Sequence, residues 1–293
     1  MRIAIWCWRL NGFSGVERYV VDLARALVAN GHEALVIVNH HGGQLWDLVQ
    51  AYGAKVYSWE DRGTYDDPDV NIAQVKAPTD AAMLSNRKPI IQVVHSEHPH
   101  EAPLEDARVP CVVFIRRGAQ HRMLAALPWL RSPAKRVEVI RNPISFDDFR
   151  NIPPMAPSVS GVFVSEIDTF KMRFLKAYAR DAGGPVIVIG RLMDEALAPE
   201  LPENVEILGP RVHPGWYYGR GKSAFSFRLS RTLVEAHLCG RAAMVYGGVE
   251  PAEDAFGASN INPEWINPGD LDISDFEASK VAARWVELAG EFV

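Results

Sequence analysis

Short apolar runs alternate along nearly the whole chain with segments whose apolar residues recur every three or four positions. This alternation restricts the fold more than any other feature of the sequence. Residues 2–8 are almost all apolar, as a strand covered on both faces should be. The loop Asn11-Gly12-Phe13-Ser14-Gly15 comes next. A helix is then expected over residues 16–29, with Val20, Leu23, Leu27 and Val28 on one face. Asn30-Gly31 ends it, and residues 34–38 read as a second strand. Strand, glycine loop, helix and strand form a βαβ unit with a right-handed crossover.

The pattern continues with strands expected at 55–59, 70–73, 89–95, 110–114 and 137–140, and helices at 44–52, 79–84 and 119–127. Residues 151–160 hold three prolines and two serines without periodicity and read as a linker. A second series then places strands at 161–164, 185–189, 205–208, 223–227 and 242–246, and helices at 170–181, 231–238 and 273–288. The expectation is an α/β chain of two Rossmann-like domains facing a cleft. The first spans 1–150 and the second 161–274, and the C-terminal helix within 275–293 packs back on the first. A chain of 293 residues is long enough for two such domains.

Composition narrows the function classes. Lys and Arg number 31 against 36 Asp and Glu, a net charge of -5, so no global charge points to nucleic acid. Cys7, Cys111 and Cys239 are odd in number and widely spaced, which argues against a zinc site or a disulfide framework and suits small core residues in a reducing cytoplasm. No run approaches ~18 apolar residues, so no transmembrane helix is expected. The first residues are too interrupted for a signal peptide. A cytoplasmic protein is expected, with peripheral membrane contact left open.

Three segments carry chemistry. The loop 11–15 precedes a helix, whose N-terminus favours an anion, although a tight strand-to-helix turn explains it equally and no G-x-G-x-x-G spacing is present. His95-Ser96-Glu97-His98-Pro99-His100 comes after a buried strand, where α/β sheets bind ligands. Its side chains suit hydrogen bonding, proton movement or, less well, a metal, and a solvated polar loop is the plain alternative. His95, nearest the strand end, is the candidate for substrate contact. In the third segment a strand leads into a helix beginning Ser230-Arg231-Thr232. Free amides there suit a phosphate, Arg231 adds a bidentate charge, and Glu235 one turn later can accept two ribose hydroxyls. A surface i, i+4 ion pair between Arg231 and Glu235 is the alternative.

Gly15-Val16-Glu17-Arg18 with residues 23–38, the segment VEVIRNPISFDDF (137–149), NVEILGP (204–210) and SRTLVEAHLCGRAAMVY (230–246) occur in the order seen in the family-4 retaining glycosyltransferases of the GT-B fold, which the chain resembles. The resemblance implies transfer of a hexose or related sugar from a nucleotide-diphosphate sugar to an acceptor hydroxyl. It implies no metal and no cofactor beyond that donor. It places Glu235 on the donor ribose, Lys171 and Gly15 near the diphosphate, and His95 near the reacting sugar. The first domain would then take the acceptor and the second the donor. Phe227 stands where the family often has a further glutamate, and Arg231 matches relatives that lack it. Glu166 stands where an arginine is expected beside Lys171, Ser14 replaces a glycine and Ser145 an aspartate. Phe227 and Glu166 keep a second reading alive, a non-catalytic nucleotide-sugar-binding subunit of a transferase complex. Another enzyme of the same fold, an epimerase or phosphorylase, is a third.

The acceptor is left open between a glycan, a lipid and a modified DNA base, the last as in compact phage enzymes. Residues 116–141 hold seven Arg or Lys and one acidic residue, Glu138. Arg116, Arg117, Arg122 and Trp129 in this stretch form a candidate surface for a polyanion or an anionic membrane. A solvated surface with scattered arginines is the alternative.

Overall fold

The computed structural model describes residues 1–12, 14–40, 42–61, 64–96, 101–153, 155–226, 230–246, 263–266 and 272–293. Glu97, His98, His100 and Phe227 lie outside them. The chain divides into two compact units, Met1–Ile144 with Asp275–Val293, and Ser145–Ser274.

The first unit is built on β1 (Arg2–Arg9), β2 (Glu33–His40), β3 (Lys55–Ser58), β4 (Val70–Gln74), β5 (Ile90–Val94), β6 (Cys111–Phe114) and β7 (Arg136–Val139). All pair in parallel, in the order β3-β2-β1-β4-β5-β6-β7. The helices are α1 (Gly15–Ala29), α2 (Gln44–Ala51), α3 (Lys76–Ser85) and α4 (Arg117–Ala126). Ile3, Ala4, Ile5 and Trp6 are fully buried, because helices cover both faces of a parallel sheet. Polar residues also lie within this core. Trp6 Nε1 donates to Asn71 Oδ1 at 2.8 Å, and Gln92 Oε1 accepts from the Leu104 amide at 2.8 Å. These buried polar groups are thus satisfied inside the sheet.

The second unit is built on α5 (Asp147–Arg150), β8 (Val159–Val164), α6 (Thr169–Ala182), β9 (Val186–Ile189), β10 (Val205–Ile207), α7 (Gly215–Arg220), β11 (Gly221–Ser226), α8 (Arg231–Leu238), β12 (Ala242–Tyr246) and β13 (Pro263–Ile266). Its sheet runs β10-β9-β8-β11-β12-β13, parallel except for the antiparallel edge strand β13. Its core joins Phe163, Leu175, Tyr178, Val188 and Phe225.

Both sheets share one wiring. The chain steps from its first strand to one edge, returns past that strand, and steps to the other edge. The reversal falls between β1 and β4 in the first unit and between β8 and β11 in the second. A crevice beyond the carboxyl ends of the strands opens at such a point.

The last helix, α9 (Ala278–Gly290), packs on α1. It starts later than residue 273, because a 3-10 turn at Ser274–Phe276 comes first. The chain leaves the first unit and re-enters it side by side. The Ile144 amide donates to Phe276 O at 2.8 Å and Ala278 N to Ile144 O at 3.0 Å. Short helices α5 and α7 and the strand β13 carry no periodic signal in the sequence. Strand β8 begins at Val159, inside the stretch read as linker.

Candidate functional site

In the second unit the segments after β8 and β9 and the start of α8 lie at the reversal of strand order. Helix α6, after β8, is capped by Asp168, whose carboxylate accepts the Lys171 amide at 2.7 Å. Lys171 lies in the first turn, and its Nζ donates to the Glu166 carbonyl at 2.9 Å. Glu166 does not stand alone where a cation is expected. Arg191, just after β9, places Nε and Nη2 each 3.0 Å from Glu166 Oε1. Gly190 makes this approach feasible. A Cβ there would lie 1.8 Å from the Ser165 carbonyl oxygen. The two strand tips are further zipped by Ile167 N to Arg191 O at 2.8 Å and Met193 N to Ile167 O at 2.9 Å.

Helix α8 enters from the other side of the reversal. Ser230 is its N-cap residue but does not cap it, since its hydroxyl meets Ser226 Oγ at 2.7 Å. The first turn carries no acidic residue. The amides and the dipole of this turn therefore offer positive potential. Thr232 Oγ1 reaches the carbonyl of Val164, the last residue of β8, at 3.4 Å, which places the start of α8 against that strand tip. Arg231 and Glu235 are ion-paired through Nε and Oε1, with side chains 11% and 3% exposed. The surface-pair alternative is therefore corrected: the pair is buried. Tyr218 of α7 donates to Glu235 Oε2 at 3.1 Å, and burial followed by the Glu235 charge raises its phenol well above its ordinary range. The two residues assigned to diphosphate and ribose hold one another in place.

At the first sheet His95, after β5, is buried. Its Nε2 lies 2.5 Å from Gln74 Oε1, at the end of β4, and the Tyr19 ring meets it edge-on at 5.0 Å. Burial, with help from the Arg116 charge and against that of Glu101, lowers its pKa to about 4, so it is neutral at neutral pH. With Gln74 Oε1 as acceptor, Nε2 carries the proton and Nδ1 is an acceptor. Beside this cluster, Val75 has φ 58°, a strained conformation for a β-branched residue, at the end of the strand flanking the reversal.

The loop before α1 is closed by its own carboxylate. Glu17 accepts from Gly12 N at 3.1 Å, Ser14 N at 2.7 Å and Arg9 Nε at 3.0 Å, forming a capping box with Ser14. The tight-turn reading thus accounts for this segment's geometry, and Gly15 opens α1 with free space where a side chain would stand.

The basic stretch does not form one surface. Arg116 is buried beside His95 rather than exposed. Trp129 packs on the first core, with Lys135 Nζ 5.7 Å from its ring centre. Lys135 itself donates to the carbonyls of Asp106 and Val109. Arg117 is exposed and Arg122 half-buried. Residues this distribution depends on, and those of the Glu166–Arg191 pair, escape periodicity. Arg191 is signalled only by a glycine and an arginine closing the apolar run 186–189, and Gln74 and Tyr218 by nothing local. Cys7 and Cys111 are buried, whereas Cys239 is half-buried at the end of α8. Among the described residues no three His, Cys, Asp or Glu side chains are placed to hold a metal ion, and no helix is long and apolar enough to cross a membrane.

No protein-family model matches the sequence, and no curated protein matches it. Solved structures do. A glycosyltransferase from Rickettsia africae aligns over 99% of this chain and 97% of its own, at 13% identity and a TM-score of 0.63. The Anabaena HepE protein in complex with UDP-glucose aligns over 100% and 91%, at 15% identity and a TM-score of 0.67. An alpha-glucosyltransferase in complex with UDP and a 13-mer DNA containing an HMU base aligns over 99% and 90%, at 13% identity and a TM-score of 0.63. At these identities the likeness concerns the fold, which is the GT-B fold of two α/β units.

Proposed function

We propose that this chain transfers a hexose or related sugar from a nucleotide-diphosphate sugar to an acceptor hydroxyl, in the manner of the family-4 retaining transferases. The observation that carries this reading is the set of cations at the second sheet's switch point. Lys171 lies beyond β8, Arg191 beyond β9 and Arg231 at the start of α8, all at the carboxyl edge where such sheets bind nucleotides. The leaving diphosphate gains negative charge as the glycosidic bond breaks. Preorganised cations and the uncapped amides of α8 stabilise that charge without requiring a metal. Arg191, anchored by Glu166, supplies the cation that the sequence lacks at position 166. Glu235, held by Arg231 and Tyr218, is the ribose acceptor, and Ser230 and Thr232 line the helix start; Gly15 is assigned to the donor by the family resemblance alone. Neutral His95 serves the reacting sugar as a hydrogen-bonding group. An acceptor hydroxyl on a glycan, a lipid or a modified DNA base completes the reaction.

The Glu166 substitution and the mutual engagement of Arg231 with Glu235 favour one other reading, a nucleotide-sugar-binding subunit without catalysis. Incubating the purified chain with UDP- and GDP-sugars separates the two. Slow sugar release with retained anomeric configuration is expected. Tight nucleotide-sugar binding without turnover would favour the subunit, and absence of both would remove the proposal.

A further inference from the structure

The first unit contains a basin that sugar transfer leaves unused. It encloses about 290 Å³ and is bordered by Arg117, Arg141, Lys280 and Arg284, with one carboxylate, Asp275, over an aliphatic floor that includes Val281. Arg117 opens α4, Arg141 lies just beyond β7, and Lys280 and Arg284 stand one turn apart on α9. Arg284 is partly neutralised by Glu287 at 2.6 Å and Glu138 at 3.4 Å. Arg141 lies over the Phe276 ring at 5.6 Å. Arg117 and Lys280 are exposed and have no ion-pair partner among the described residues. Helix α4, ten residues long, begins without a capping side chain and without an acid in its first turn, so its amides and dipole add positive potential next to Arg117.

We propose that this basin binds a phosphate group, free or carried on a small organic body. Cations from three elements converge on one concave space; among the described residues Asp275 is the one carboxylate in its lining, and Glu138 and Glu287 offset Arg284 alone. The volume lies at the lower end of small-molecule sites, roughly 300–1,000 Å³, and suits a phosphate with a few carbon atoms. A nucleic-acid backbone is disfavoured, because three further cations of residues 116–136 are engaged or buried. Arg136 pairs with Glu138 at 2.7 Å and Glu291 at 3.8 Å, Lys135 is tied to carbonyls, and Arg116 is buried.

The test is calorimetric titration of the full chain with inorganic phosphate and with glycerol 3-phosphate, using sodium chloride at matched ionic strength as the control. Saturable binding of a phosphate is expected, at least tenfold weaker in the Arg117→Ala/Lys280→Ala double variant and retained when saturating UDP occupies the donor site. That last arm keeps this basin distinct from the donor site. Tighter binding of glycerol 3-phosphate assigns the aliphatic floor to the organic body, and equal binding assigns the basin to the free anion. Equal affinity in the wild type and the double variant would overturn the proposal. So would a response reproduced by chloride, or saturation only with duplex DNA or anionic vesicles. Arg117→Gln/Lys280→Gln provides the same readout if circular dichroism shows the alanine variant to be misfolded.

Discussion

Arg191 and Glu166 meet at the carboxyl tips of adjacent strands, the guanidinium placing two nitrogens 3.0 Å from one carboxylate oxygen. Both side chains are partly exposed, 53% and 28%, so their mutual attraction contributes no more than about 1 kcal/mol to folding. Arg191→Ala should therefore leave thermal stability almost unchanged. If Arg191 also faces the donor diphosphate, the same substitution removes a charge-assisted contact worth about 1.5–3 kcal/mol. UDP affinity should then fall roughly tenfold or more. Calorimetry on a variant with an unaltered melting curve reads this directly, and undiminished affinity would exclude Arg191 from the site.

The Arg231–Glu235 pair behaves differently because it is buried. Glu235→Gln leaves a buried guanidinium without its counter-charge and the Tyr218 hydroxyl with a weaker acceptor. A loss of about 3–5 kcal/mol in urea denaturation is expected. Arg231→Met/Glu235→Leu, which removes both charges, should be more stable than Glu235→Gln. A double variant as unstable as the single one would show that the pair is not the source of the loss.

Between pH 7.5 and 4.5 a pH dependence of stability is expected from His95. Its pKa falls from an ordinary 6.5 to about 4 on folding, so the unfolded chain binds the proton more readily between these values. This contribution to stability is complete above pH 6.5 and is lost as the pH falls towards 4, a total of about 3 kcal/mol. Denaturation midpoints at pH 7.5 and 4.5 should differ less in His95→Gln than in the wild type. An unchanged difference would place the titrating group elsewhere.

Gly190→Ala tests the close strand contact. The added carbon would overlap the Ser165 carbonyl, a backbone atom that cannot swing aside. The β8 and β9 tips must separate, at a cost of about 1–3 kcal/mol, and Arg191 should move with them. Reduced stability together with reduced UDP affinity is expected. Reduced stability with full affinity would uncouple the tip from nucleotide binding.

Periodicity made both α/β halves readable because strands covered on two faces, such as Ile3 to Trp6, leave continuous apolar runs, and helices such as α1 leave a stripe. It did not disclose that Asn71, Gln74 and Gln92 lie inside the first sheet, since buried polar side chains look in sequence like surface ones. The short α5 and α7 offer too few turns for a stripe to emerge. For the candidate site, Arg231 and Glu235 stood out from their place at a helix start, whereas Lys171 was indicated only by the family resemblance. Their partners did not, because Glu166 and Arg191 are 25 residues apart and meet only when two strands lie side by side. Arg116 looked like surface for the same reason: His95, whose imidazole feels its charge, comes from another segment.

Ile144 and Glu277 form a parallel bridge, with backbone hydrogen bonds on either side of it. Residues 145–274 are therefore a long excursion whose two ends emerge about one strand spacing apart, roughly 4.8 Å. The helix that completes the N-terminal half, with Val281, Trp285 and Leu288 in its core, leaves the ribosome only after that whole excursion has been made. The half begun first must wait for a helix synthesised after the other half before it can close.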